Sequence, residues 1–215
     1  MLGDVLLIAE KHRIAAAAIT QIVLKNYFPK MLMAISGESG SGKSELAHCI
    51  GKALVKEHGI RTKIIHSDNY YRVHPHLRTE WRKQHGFEAV GMSEIDWETL
   101  NGNITDFKNN RISEMPCIDI VPDEPDRLIT DFSKIDFLII DGLYALNAEG
   151  VDLGVFIDLT YHETKKAQAD RGKEPVNDFR WNVLEKEHTE VMKLKSKARI
   201  LVEKDYSISL IDALQ

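Results

Sequence analysis

Eight consecutive residues, Gly37 to Ser44, read GESGSGKS and satisfy every fixed position of the pattern G-x-x-x-x-G-K-[ST]. The apolar stretch Met31-Leu32-Met33-Ala34-Ile35-Ser36 precedes them, and Glu45 to Val55 follows with apolar residues at helical spacing. A strand that turns into a helix through this loop is therefore expected. Gly37, Gly40 and Gly42 open backbone conformations closed to other residues, so that successive N–H groups can wrap phosphate oxygens. The helix adds its positive N-terminal end. Lys43 can then reach the outer phosphates as a point charge, and the Ser44 hydroxyl can ligate a magnesium ion that bridges them. Glu38, Ser39 and Ser41 complete the loop that would hold the nucleotide. The competing reading is a Gly/Ser-rich turn before an ordinary helix.

The rest of the chain alternates in the same way. A helix is expected over residues 4–26, ended by Pro29, as an N-terminal extension (1–30) ahead of a main domain (31–215). Strands are expected at 61–66, 137–142, 155–159 and 198–202, and helices at 96–108, 162–171 and 178–197. Phe137-Leu138-Ile139-Ile140 is a continuous apolar run of the kind buried on both faces. Residues 72–90 read as polar and irregular, and 111–121 as a short pair of strands broken by Pro116 and Pro122, forming a flap. Such alternation implies an α/β fold with a mostly parallel sheet covered by helices on both faces.

At 215 residues, with 43% hydrophobic and 28% charged residues, the chain can bury one sizeable core. Its net charge of −5 offers no general attraction to nucleic acid or to an anionic membrane. Val5 to Ala9 is too short an apolar run for a membrane span and lacks the basic flank of an export signal. Only Cys49 and Cys117 occur, without the paired spacing of a zinc site, and they read as ordinary thiols of the cytoplasm.

Two acids stand where ligands bind in open α/β sheets, beyond the carboxyl ends of strands. Asp68 follows the strand at 61–66. It could take a proton from an acceptor hydroxyl or help to hold magnesium, or it could simply cap a Ser-Asp-Asn turn. Asp141 ends the apolar run at 137–140, and a charge there needs a partner such as a cation.

The order GESGSGKS, SDNYY, CIDIV, FLIIDGLYAL, VFIDL resembles the uridine kinase and phosphoribulokinase family over roughly Met31 to Tyr206. The resemblance implies a P-loop kinase fold, ATP with Mg2+, and phosphoryl transfer to a small hydroxyl-bearing molecule. It implies that Asp68 is the catalytic acid, Tyr71 an aromatic against the acceptor, and Asp119 the acidic residue of the acceptor flap. Arg171 and Lys173 are similar to lid cations that close over the phosphates; without the resemblance they would read as a solvated helix end. Acceptor and lid segments are expected at about 70–125 and 162–180.

The chain departs from uridine kinases at the flap. An aromatic and a base-reading histidine are replaced by Ile118 and Asp123, and a pocket without them loses much of its selectivity for a base. Tyr71 to Gly86 instead carries Arg72, Arg78, Arg82 and Lys83. These could grip an anionic acceptor, or belong to a solvated loop. The expected activity is uridine kinase-like transfer of the γ-phosphate to a hydroxyl. The alternative is a phosphoribulokinase-like kinase of an anionic sugar or other non-nucleoside acceptor, with a non-catalytic nucleotide-binding regulator behind both. The expected partner is a small-molecule acceptor, with no nucleic acid and no membrane, and a homo-oligomer is compatible with these features.

Overall fold

Residues 31, 33 and 35 of β1 (Met31–Gly37) belong to one apolar cluster, while Leu32 and Ala34 belong to another. This period of two means that each face of the strand needs its own cover. The computed structural model of the protein describes residues 3, 5–119, 121, 124–165 and 177–211 and shows both covers. On one face α1 (Glu10–Asn26) and α2 (Lys43–His58) bring Ala15, Ile19, Val23, Leu46, Ile50 and Leu54 against the sheet. On the other, α4 (Trp97–Lys108) and α5 (Asp178–Met192) bring Leu100, Ile104, Phe107 and Val191. The N-terminal helix is thus part of the main core.

The sheet has six strands in the order β2-β5-β1-β6-β7-β8, where β2 is Thr62–His66, β5 Phe137–Asp141, β6 Leu153–Ile157, β7 Ile200–Val202 and β8 Ile208–Leu210. All pairings are parallel except that of β8 with β7. Parallel strands end on the same side, so the carboxyl ends of β1, β5 and β2 form one row in which Asp141 is in register with both Ile35 and His66. The expected α/β architecture is the observed one.

Several local expectations change. Residues 72–90 are not irregular: Pro75–His85 forms α3, with Pro75 in its first turn, basic residues in its last and Gly86 at its end. Few apolar residues mark this helix, but its end signals are good. The first helix begins at Glu10 rather than residue 4. The strand pair expected inside 111–121 is a longer hairpin of β3 (Ile112–Asp119) and β4 (Glu124–Asp131), with Pro116 opposite Arg127. A two-stranded ribbon has two free edges and accommodates a proline. Asn103 of α4 anchors this flap, since its side-chain amide donates to Ser113 Oγ at 2.7 Å and to the Glu114 carbonyl at 3.0 Å. The same side chain accepts from the Tyr70 hydroxyl at 2.8 Å, which ties the flap to the turn after β2. Most of the helix expected at 162–171, together with Pro122, lies outside the described residues.

Gly102, in the middle of α4, is exposed, and a Cβ built on it meets nothing within 4 Å. Gly102→Ala should therefore stabilise the protein by about 1 kcal/mol, because alanine loses less backbone entropy in a helix. A rise of about 3 °C in thermal midpoint is the expected reading. A fall would show that α4 is not helical there.

Candidate active site

The loop between β1 and α2 is formed by the glycines as expected. Gly40, half-buried at its crest, has φ of 78°, and Gly42 has φ of 90°, both in the left-handed region that favours glycine. At Gly42 a Cβ would also overlap the Tyr206 hydroxyl and come within 2.7 Å of His12 Nε2. Strain and crowding together reserve that position for glycine. The crowding comes from residues that no motif marks. His12 of α1 and Tyr206 beyond β7 pack edge to face at 5.1 Å, and the Tyr206 hydroxyl donates to the Ser41 carbonyl. The fold thus holds the phosphate loop from behind.

Other contacts fix the loop from the side. The Glu38 carboxylate is buried and accepts from the Tyr161 N–H at 2.6 Å, and its second oxygen lies 2.5 Å from His188 Nδ1 on α5. Thr164 Oγ1 donates to the Ser39 carbonyl at 2.8 Å. Glu38 was expected among the nucleotide-binding residues. Its side chain is turned into the protein. Lys43 Nζ donates to the Glu38 carbonyl at 2.8 Å, so the lysine lies folded along the loop it is expected to serve.

Ser44, at the start of α2, donates to Asp141 Oδ2 at 2.6 Å. The other Asp141 oxygen lies 2.6 Å from His66 Nδ1, placed there by the in-register pairing of β2 and β5. Burial opposes the charge of Asp141, but His66, the Ser44 hydroxyl and Lys43 outweigh it and hold the carboxyl below the usual carboxylate range. His66 was not anticipated. Its signal was the matching position of two strand ends, which requires the register.

Asp68 lies in the 3-10 turn Ser67–Tyr70 after β2. Its Oδ1 atom is buried without a hydrogen-bond partner and would stand 3.6 Å from a Cβ on Gly142, just beyond the end of β5. A side chain at Gly142 would also overlap the Ser67 hydroxyl, and its φ is 155°. The glycine therefore lets the two strand ends approach. The structure brings Ser44 and Lys43 to Asp141, with Asp68 beside Gly142, the residue that follows Asp141.

The residues expected on the acceptor side are less uniform. Tyr71 is half-buried, bridges to Ile95, and carries the Arg78 guanidinium 3.6 Å over its ring. Burial pushes its phenol well up. Arg78 also donates to the Val73 carbonyl, at 3.3 Å from Nη2, and Arg72 lies 3.7 Å from Asp96. Arg82 is no free gripping fork: it is buried, donates to both Glu94 oxygens at 2.8 Å, and lies 3.1 Å from Glu187. Lys83 pairs with Glu80 on the surface. Asp119 ends β3 and accepts from the Val121 N–H at 3.0 Å, while Ile118 beside it is buried and donates its N–H toward Asn69. Arg171, Lys173 and Asp123 lie outside the described residues.

Among the described residues, no three His, Cys, Asp or Glu side chains form a metal cage, and no helix is long and apolar enough to cross a membrane. Magnesium needs no such cage, because it binds through one or two carboxylates, water and substrate phosphates. The hard oxygens of Ser44, Asp141 and the unpartnered Asp68 suit it.

A uridine kinase of Staphylococcus aureus (strain JH9) is 28% identical over 131 residues, which cover 59% of this chain and 61% of that relative. The chain thus spans less than two thirds of its relative's length. The phosphoribulokinase from Rhodobacter spheroides superposes with a TM-score of 0.63 at 14% identity, covering 80% of this chain and 69% of that one. D-glycerate 3-kinase from Cryptococcus neoformans superposes with a TM-score of 0.58 at 14% identity, covering 94% and 99%. Both likenesses establish the fold. Residues 32–169, more than half of the chain and the stretch that contains the phosphate loop, Asp68 and Asp141, match the Phosphoribulokinase / Uridine kinase family, whose members are kinases, and the protein belongs to that family.

Proposed function

We propose that the protein transfers the γ-phosphate of ATP to a hydroxyl group of a small molecule. The observation that carries this reading is the buried, unpartnered Asp68 oxygen beside the end of β5, one strand from the phosphate loop. An acid there can accept the proton of an attacking hydroxyl. The loop amides and the N-terminus of α2 would hold the triphosphate, with Gly40 and Gly42 giving the backbone its turn. Lys43 would leave the Glu38 carbonyl to offset charge on the transferring group. Ser44 and Asp141, with Asp68, would hold magnesium. When bound, that ion neutralises charge on the phosphates. His66 keeps Asp141 ionised and oriented.

Uridine is the first acceptor to test, since the curated relatives are named for it. A sugar or other non-nucleoside acceptor is the second reading, supported by the buried Ile118 where uridine kinases carry an aromatic. The test is ADP release from ATP and magnesium across nucleosides, free sugars, sugar phosphates and hydroxy acids. Acceptor-dependent ADP release is expected. ATP binding with no release in the presence of any acceptor would make the protein a nucleotide-binding regulator instead.

A further inference from the structure

Four side chains on three elements form one chain of hydrogen bonds between the flap and the turn that carries Asp68. The Tyr70 hydroxyl donates to Asn103 Oδ1 at 2.8 Å, the Asn103 amide donates to Ser113 Oγ at 2.7 Å and to the Glu114 carbonyl at 3.0 Å, and Ser113 Oγ donates to Asp106 Oδ2 at 2.8 Å. Tyr70 ends the turn Ser67–Tyr70, Asn103 and Asp106 belong to α4, and Ser113 and Glu114 to β3. The last member sets the direction of the chain. A carboxylate only accepts, so the Ser113 hydroxyl gives its proton to Asp106 and must accept from the Asn103 amide, which turns the amide oxygen toward Tyr70. Burial pushes the Tyr70 phenol well up, so it stays a donor. Tyr70, Asn103 and Ser113 are each no more than 5% exposed, and a link broken among them leaves a buried polar group unpaired.

The flap and the sheet do not meet closely on the side of β2. That strand is an edge, and a cavity of about 190 Å³, bordered by Ile65, His66 and Tyr70 and by Met115, Cys117 and Leu128, lies between it and the flap. Side-chain packing therefore does not set their separation there. A second hydrogen bond between flap and turn, from the Ile118 N–H to Asn69 Oδ1, is long at 3.4 Å. The helix α4 holds both partners more firmly. At its start the Asp96 N–H donates to the Tyr70 carbonyl at 2.7 Å, and Leu100, Ile104 and Phe107 share an apolar cluster with Met115 of the flap. Asn103 lies on the same helix and bonds turn and flap at once.

We infer that Asn103 is a positioning residue for the reaction: by bonding Tyr70 and β3 together it sets the distance between the acceptor flap and Asp68, two residues before Tyr70. It acts through these neighbours and not on the reacting atoms. This inference rests on the kinase reading above and adds to it the group that aligns the acceptor hydroxyl with its base. Such alignment matters, because a displacement of about 1 Å made far from the chemistry can cost roughly a hundredfold in rate.

The experiment leaves Asn103 in place and cuts the chain on either side of it. Tyr70→Phe keeps the ring in the core and removes one link, and Ser113→Ala removes the next. Uridine, ribose, ribose 5-phosphate and glycerate serve as probes of the four acceptor classes, with the full chain, ATP and magnesium. Each variant should lower kcat/KM for the best of these acceptors by about tenfold while the ATP KM holds. The double variant should lose hardly more than either single one, because both substitutions cut the same chain. A bond that serves stability alone would lower the thermal midpoint and leave the acceptor kinetics of the folded protein unchanged. That result in both variants overturns this inference and leaves the kinase reading standing. Losses that multiply in the double variant would put Tyr70 and Ser113 on separate paths and overturn it as well. Transfer to none of the four probes by the unaltered chain overturns both readings.

Discussion

Asp68→Asn should lower kcat by roughly a thousandfold, near the middle of the range that general base catalysis supplies. The amide keeps the size of the side chain but cannot take the proton of the attacking hydroxyl. Asp68 Oδ1 makes no hydrogen bond that the substitution would break, so the thermal midpoint should hardly move. Affinity for ATP measured without magnesium should also hold, because the loop amides, Lys43 and the N-terminus of α2 lie on other elements. Single-turnover kinetics with ATP titration and a thermal melt check all three. Loss of ATP binding in step with turnover would make Asp68 a structural turn residue.

Lys43→Ala should cost about a hundredfold or more in kcat, corresponding to roughly 3 kcal/mol of charge stabilisation at the transferring phosphate. The lysine begins α2, where alanine is a good helix former, and its visible hydrogen bond goes to the Glu38 carbonyl of its own loop. The fold should therefore survive. Near-normal transfer in the folded variant would show that the ammonium is not used in the reaction. The two variants differ in one useful way: without magnesium, Lys43→Ala should weaken nucleotide binding, whereas Asp68→Asn should not.

Both residues were legible in the chain because their signals are local. The glycine loop needs eight consecutive residues, and Asp68 and Asp141 each stand at the end of one apolar run. The helix α3 was legible only at its ends, since a polar face with little apolar period hides the body of a helix. The strand β4 left still less trace: six of its eight residues are polar or proline, and most are exposed on a ribbon outside the main sheet. Period-based reading depends on one buried face, and this strand hardly has one.

What tertiary structure decided is who pairs with whom across the chain. Arg82 looked like a surface cation until α5 placed Glu187, 105 positions later, beside it. His66 acquired a role when β5 ran in register next to β2 and set Asp141 against its ring. The Glu38 carboxylate turned into the protein, where the Tyr161 N–H and His188 meet it. A local pattern of glycines and apolar runs decides where strands end and where phosphate can bind, because those depend on backbone conformation and burial over a few residues. The protonation and pairing of buried charges depend on groups a few ångströms away in space, and the amino-acid order carries that distance only after the chain has folded.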